Sequence, residues 1–168
     1  MKKAFLTFFL AAGLIIFVAG PLQADSIIIP ASEFVVGQPG ATGDTIHYYH
    51  GSYFGVYDDC TYRYFYAPVF LPHGAQVTSV IVFFEDDSTY NISVYLQRRN
   101  MYNGSVNTMC NWTSSSDTSG WQTHKISPIS LGNINTTGYA YYLYVNFSGA
   151  SNLSELSILG VRINYNAP

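Results

Sequence analysis

Residues 75–99, AQVTSVIVFFEDDSTYNISVYLQRR, decide the fold. The second half alternates, with Ile92, Val94 and Leu96 on one face and Asn91, Ser93, Tyr95 and Gln97 on the other, which is the period of two of a half-buried strand. The first half does not alternate: Val80, Ile81, Val82, Phe83 and Phe84 are apolar without interruption, the pattern of a strand covered on both faces. Glu85-Asp86-Asp87-Ser88-Thr89 between them has the composition of a tight acidic turn, so the stretch predicts a β-hairpin. An isolated hairpin is marginal in water, so further strands must enclose it.

The flanking sequence supplies them. Ser26–Val36 is apolar but broken by Pro30, which suits an edge strand where a missing N–H is tolerated. Residues 45–59, TIHYYHGSYFGVYDD, read as an irregular or bulged strand punctuated by Gly51 and Gly55. In residues 60–71 Tyr62, Tyr64 and Tyr66 alternate with Arg63 and Phe65, and Leu71-Pro72-His73-Gly74 then turns the chain. After a turn at residues 100–105, a short strand carries Cys110 and Trp112. Three more strands are read at Trp121–Ile126, Ala140–Phe147 and Leu156–Tyr165, the last with Leu159, Val161, Ile163 and Tyr165 on one face. No amphipathic helix pattern appears after the leader. Eight to ten short strands at this spacing predict an all-β, two-sheet antiparallel β-sandwich, jelly-roll-like, as one domain over residues 25–168.

The first 24 residues are of another kind. Lys2 and Lys3, an apolar run from Ala4 to Ala19, Gly20-Pro21 and small Ala24 have the three regions of a secretory signal peptide, with the cut expected before Asp25. The run is short for a membrane span, so a secreted or periplasmic domain without a membrane span is expected. Losing the leader lysines changes 7 basic against 10 acidic residues to 5 against 10. A mildly acidic domain lacks the basic footprint of nucleic-acid binding. Two cysteines, Cys60 and Cys110, in an exported chain are expected to pair, a closure that would contribute about 3–4 kcal/mol.

LPHGAQVTSVIVFFEDDS (residues 71–88), an isolated cysteine in a preceding aromatic strand and the closing GVRINYNAP (residues 160–168) resemble a pattern found in small secreted bacterial all-β proteins. The resemblance spans roughly Tyr57 to Pro168 and rests on turns and strands. It implies the β fold and export, and it carries no functional residues.

Motifs for chemistry are sparse. Gly-x-Ser-x-Gly is absent, and His47, His50, His73 and His124 are scattered, with His47 and His50 on opposite faces of any one strand. Two acidic clusters, Asp58-Asp59 and Glu85-Asp86-Asp87, have three readings: calcium ligands, the paired acids of a glycoside hydrolase, or solvated turn residues. The aromatic content is the more informative feature. Tyr142 and Tyr144 lie opposite Leu143 and Val145, and Tyr95 lies opposite Val94 and Leu96, so an exposed aromatic stripe is expected if the aliphatic faces fill the core. With Trp112 and Trp121, these residues are the candidates for stacking on a glycan. The leading expectation is therefore a non-catalytic secreted module that binds glycans. The alternative is a structural subunit that self-associates through the apolar strand Ser79–Phe84, and a hydrolase built on the acidic loops is a weaker one.

Overall fold

The computed structural model describes residues 24–36, 46–49, 53–56, 64–86, 89–115, 118–148 and 156–168. Residues 1–23 of the leader, Asp58, Asp59, Cys60 and Asp87 therefore lie outside the described residues. Among the described residues there are eleven strands: β1 (Ala24–Pro30), β2 (Val35–Val36), β3 (Ile46–Tyr49), β4 (Tyr53–Val56), β5 (Tyr64–Val69), β6 (Gln76–Asp86), β7 (Asn91–Asn100), β8 (Val106–Thr113), β9 (Thr118–Ile126), β10 (Tyr139–Ser148) and β11 (Leu156–Asn166). They form two antiparallel sheets. The first runs β3-β4-β11-β6-β9 with β1 also on β11, and the second runs β2-β5-β10-β7-β8. From β4 onward, eight strands divide as β4-β11-β6-β9 over β5-β10-β7-β8, the interleaving of a jelly roll.

The 75–99 stretch folds as two strands, but they are not a hairpin. β6 pairs with β11 and β9 in one sheet, whereas β7 pairs with β10 and β8 in the other. The acidic segment thus carries the chain from layer to layer. The alternation read in the second strand holds, with Ile92, Val94 and Leu96 pointing between the sheets, and the uninterrupted apolar run of the first also sends alternate residues inward, Val80, Val82 and Phe84, leaving Ile81 and Phe83 half-buried on the outer face. Its central position also excludes β6 as an edge for pairing with other copies, because both of its backbone rims are already used.

Asp86 is likewise not a solvated turn residue. At 1% exposure it sits inside the end of β6 on the same face as Phe84, while Glu85 on the outer face is half-buried. The expected strand at Ser26–Val36 changes sheet: it breaks at Pro30, makes one 3-10 turn (Ala31–Glu33) and resumes as β2 in the opposite layer. Ala31 and Phe34 from this crossover are fully buried, so the proline break lets one segment close the side of the sandwich. The aromatic stretch at 45–59 contains the paired strands β3 and β4 rather than one bulged strand.

In β11 a bulge between Ile158 and Gly160 turns Leu159 outward, so the inward set is Ile158, Val161, Ile163 and Tyr165. Gly160 lies under β1, where a Cβ would stand 2.8 Å from the carbonyl oxygen of Ile29. Only glycine lets the two backbones approach so closely. The 100–105 turn is built as its composition predicts: Asn100 Oδ1 accepts from the N–H groups of Tyr102 (2.8 Å) and Asn103 (3.3 Å), and Gly104 takes a positive φ of 73°.

Cys110 corrects the expected disulfide. It is a free, buried thiol, because a bulge opposite Leu96/Gln97 turns both Met109 and Cys110 toward the core. Burial pushes its pKa up to about 11 against the opposing effect of a backbone hydrogen bond from Leu96. The strands that the bridge was to join are also not neighbours, since β10 and β7 separate β5 from β8.

Candidate functional site

The outer face of the second sheet is where the side chains opposite the core collect. On β10, Leu143 and Val145 are fully buried, so the pleat turns Tyr142 and Tyr144 outward. Cross-strand register does the rest. Tyr144 stands opposite Tyr66 on β5 and opposite Tyr95 on β7, which places Tyr66, Tyr144 and Tyr95 in one row across three adjacent strands. Tyr64 and Tyr142 flank that row on β5 and β10.

The rings touch. Tyr66 and Tyr95 each lie 5.2 Å from Tyr144 between centroids, inclined at 32° and 37°. Tyr64 stacks on Tyr144 at 5.8 Å and 25°, and Tyr66 meets Tyr142 at 6.0 Å and 46°. All these spacings fall in the range of favourable aromatic pairs. Even so the cluster remains open, with Tyr64 and Tyr66 at 41% and 36% exposure and the other three half-buried. At the centre, burial first and then the neighbouring phenols of Tyr64, Tyr66 and Tyr95 push the Tyr144 hydroxyl up to about 12. Burial also raises the Tyr142 phenol, an effect opposed by the charge of Arg99 and by a hydrogen bond with it.

The rim is polar and almost uncharged. Ser93 and Thr113 share a hydrogen bond of 2.9 Å, and Gln97 Nε2 donates to Thr108 Oγ1 at 3.2 Å. Asn111 extends the central row beyond Tyr95, and Asn146 lies beside Ser93. Beside Tyr142 the surface sinks into an open depression of about 370 Å³, lined by Val35, Tyr66, Pro68, Arg99, Ala140 and Tyr142 among others.

Three of the five aromatic candidates therefore meet, and the tryptophans do not join them. Trp112 pairs with inward-facing Val94 and closes the seam between the sheets, stacked on His124 of β9 at 4.5 Å and 13° and 4.7 Å from Phe84 of β6. Trp121, 54% exposed, stands opposite Glu85 on the outer face of the other sheet. Tyr64 and Tyr66 were not among the candidates, although their alternation with the buried Phe65 marked them as outward. Among the described residues, no group of three or more His, Cys, Asp or Glu side chains is placed to hold a metal ion. His73 accepts from the Thr136 N–H at 3.2 Å, far from His124 in sequence and on another element. No helix among the described residues is long and apolar enough to cross a membrane.

The molecule is thus a jelly-roll β-sandwich with a tyrosine-paved outer sheet face. No protein-family model and no curated protein matches the chain. Among solved structures it is similar to a xylan-binding module, CBM15, at 12% identity over 84% of this chain and 97% of that one, with a TM-score of 0.48. It is also similar to a family 35 carbohydrate-binding module from Clostridium thermocellum (16% identity, 83% and 97% covered, TM-score 0.41). The Tobacco streak virus coat protein is similar too, at 10% identity over 90% of each chain with a TM-score of 0.42. Likenesses at this level assign no function, which has to come from the residues of the tyrosine face.

Proposed function

We propose that this chain is an exported, non-catalytic module that binds glycans through the tyrosine face. The observation that carries the reading is the continuous patch formed by Tyr64, Tyr66, Tyr95, Tyr142 and Tyr144 on adjacent strands. A pyranose ring presents C–H groups on its flat faces and hydroxyls around its edge. Aromatic rings cover the first, and a rim of amides and hydroxyls such as Gln97, Asn111 and Asn146 matches the second. Rigid strands hold the rings in place before any ligand arrives, so little side-chain entropy is lost on binding.

Two further features support binding over catalysis and a single chain over a flat surface. Hydrolysis of a glycosidic bond ordinarily needs a pair of carboxyl groups flanking it, and the described outward residues of this sheet include neither Asp nor Glu. The inclinations of 32° and 37° between neighbouring rings mean that Tyr66, Tyr144 and Tyr95 do not share one plane. A single flexible glycan can adjust to such an uneven platform, whereas a flat crystalline face would not lie on all three rings at once. The signal-peptide pattern of residues 1–24 supports the extracellular or periplasmic setting in which such a module would meet its ligand.

The test is a glycan array run beside light scattering, on the wild-type chain and on Tyr142→Ser/Tyr144→Ser. Loss of glycan retention by a folded, monomeric double variant is the expected result. A wild-type oligomer that the double variant dissolves, with no glycan retained by either, would instead make this face a contact between copies.

A further inference from the structure

Among the described residues the tyrosine face carries one charged side chain, Arg99, and its placement narrows the ligand. The described arginines are Arg98, Arg99 and Arg162, and two of them are engaged with rings: Arg98 lies 4.2 Å from the centroid of Tyr139, and Arg162 lies 5.4 Å from that of Phe83. Arg99 is different. It is exposed on the outer face of β7, directly opposite Ala140 on β10, and so small a neighbour leaves the guanidinium uncovered over the depression beside Tyr142 and Tyr66. One of its donors engages the Tyr142 hydroxyl. A guanidinium has five, so the rest of the fork is available to a ligand.

Beyond the Tyr142 hydroxyl, no carboxylate among the described outward residues of this sheet is placed to pair with Arg99. None of the residues that line the depression with Arg99 carries a charge: its neighbours there include Val35, Tyr66, Pro68, Ala140 and Tyr142, together with Ala67 and Tyr141. The chain as a whole is acidic, with a formal charge of -3 at pH 7. A polyanion would be repelled by most of this molecule, so its retention would require a local cation such as this one. A planar fork beside an aromatic platform is suited to a planar oxyanion held next to a stacked ring.

Building on the glycan reading, we propose that the tyrosine face takes an anionic glycan, with sugars stacked along Tyr95, Tyr144 and Tyr66 and a carboxylate or sulfate ester seated on Arg99 beside Tyr142. The stacked rings supply affinity that is indifferent to charge, and Arg99 supplies the preference for the charged chain.

The experiment compares retention of the full chain in native gels containing polygalacturonate, fully methyl-esterified polygalacturonate, dextran sulfate or dextran. The first pair differs in the sugar carboxylate and the second in the sulfate ester. The expected result is at least about tenfold tighter retention on one anionic polymer than on its neutral partner, the size of effect of a charge-assisted hydrogen bond. Preference within the first pair identifies a uronate, and preference within the second a sulfated sugar. Arg99→Gln should lower the anionic polymer to the level of its neutral partner, and Arg99→Lys, which keeps the charge without the fork, should fall between. Equal retention within both pairs overturns the proposal, as does a preference for the anion that survives Arg99→Gln, or no retention on any of the four polymers. The glycan reading is judged separately: if Tyr142→Ser/Tyr144→Ser abolishes binding to a neutral glycan on the array, that reading stands even where the polymer pairs or Arg99→Gln have overturned this one.

Discussion

Truncating Tyr144 to alanine separates a platform residue from a core residue, because its neighbour in sequence faces the other way. Tyr144 makes ring contacts with Tyr64, Tyr66 and Tyr95. At about 0.5–1 kcal/mol for each pair at a partly exposed site, their loss comes to about 1.5–3 kcal/mol of stability. Leu143 next to it is 0% exposed, and a buried Leu→Ala change costs about 2–5 kcal/mol through lost transfer energy and the cavity left behind. Tyr144→Ala should therefore unfold at a higher urea concentration than Leu143→Ala. Binding should rank the two variants in the opposite order. Removing the central ring of the row breaks the stack in two, a loss of hot-spot size, about 2 kcal/mol or thirtyfold in affinity. Leu143→Ala, assayed where it is still folded, should bind nearly as the wild type does. Tyr144→Phe keeps every ring contact and should stay close to wild type in stability. Equilibrium urea unfolding followed by tryptophan fluorescence gives the first ranking, and glycan affinity electrophoresis gives the second. The assignment of faces fails if Tyr144→Ala is the less stable of the pair, and the platform reading fails if its retention is unchanged.

Further expectations concern pH, the thiol and the backbone. Tyr144 holds its proton more tightly when folded, at a pKa of about 12 against about 10 for a free phenol; the stabilisation this brings is complete below pH 10 and is lost as the pH rises through 12. A phenolate absorbance titration should show a late-titrating tyrosine that Tyr144→Phe removes. In a Cys60→Ser chain, the Cys110 thiol, buried and raised to about 11, should resist a thiol reagent at pH 8 until urea unfolds the domain; prompt reaction in the native state would contradict its placement in the core. Gly160→Ala should cost about 1–3 kcal/mol in urea unfolding, because the added methyl would meet the Ile29 carbonyl at 2.8 Å and lift β1 from β11.

Side-chain periodicity carried the faces and left the partners open. Ile92, Val94 and Leu96 point inward as their alternation requires, yet nothing local to residues 75–99 says that β6 and β7 belong to different sheets. Their partners, β11 and β10, lie far along the chain, and the choice between hairpin and layer crossing depends on where those strands fit. The uninterrupted apolar run of β6 did hold a clue, since it suits the middle of a sheet better than one arm of a marginal hairpin. Leu159 was misplaced for a different reason. A single bulged residue inverts the faces on one side of it, and the pattern Leu-Ser-Ile-Leu-Gly at 156–160 offers no local sign of which residue is extra. The cysteine pairing failed because even number and export say nothing about direction, and the β8 bulge aims Cys110 at the core.

The site was legible to the same degree. Tyr95, Tyr142 and Tyr144 could each be assigned to an outward face from their own strands, but Tyr66 joins them through the register of β5 on β10, which brings together residues far apart in sequence. Register also sets the direction in which a ligand should lie. Across the strands, Tyr66, Tyr144 and Tyr95 follow one another at 5.2 Å between ring centres, continued by Val35 at one end and Asn111 at the other. Along β10, by contrast, Tyr142 and Tyr144 stand about 6.6–6.8 Å apart by strand geometry, and the next outward residues are Asn146 and Ala140. Only the first direction offers an unbroken aromatic path, so a bound chain should cross the strands. Tyr66→Ala and Tyr95→Ala, at opposite ends of the row, should then weaken retention by similar factors. A ligand lying along β10 would feel Tyr142 and leave Tyr95 almost without effect, and that outcome would refute the crosswise placement while sparing the platform itself.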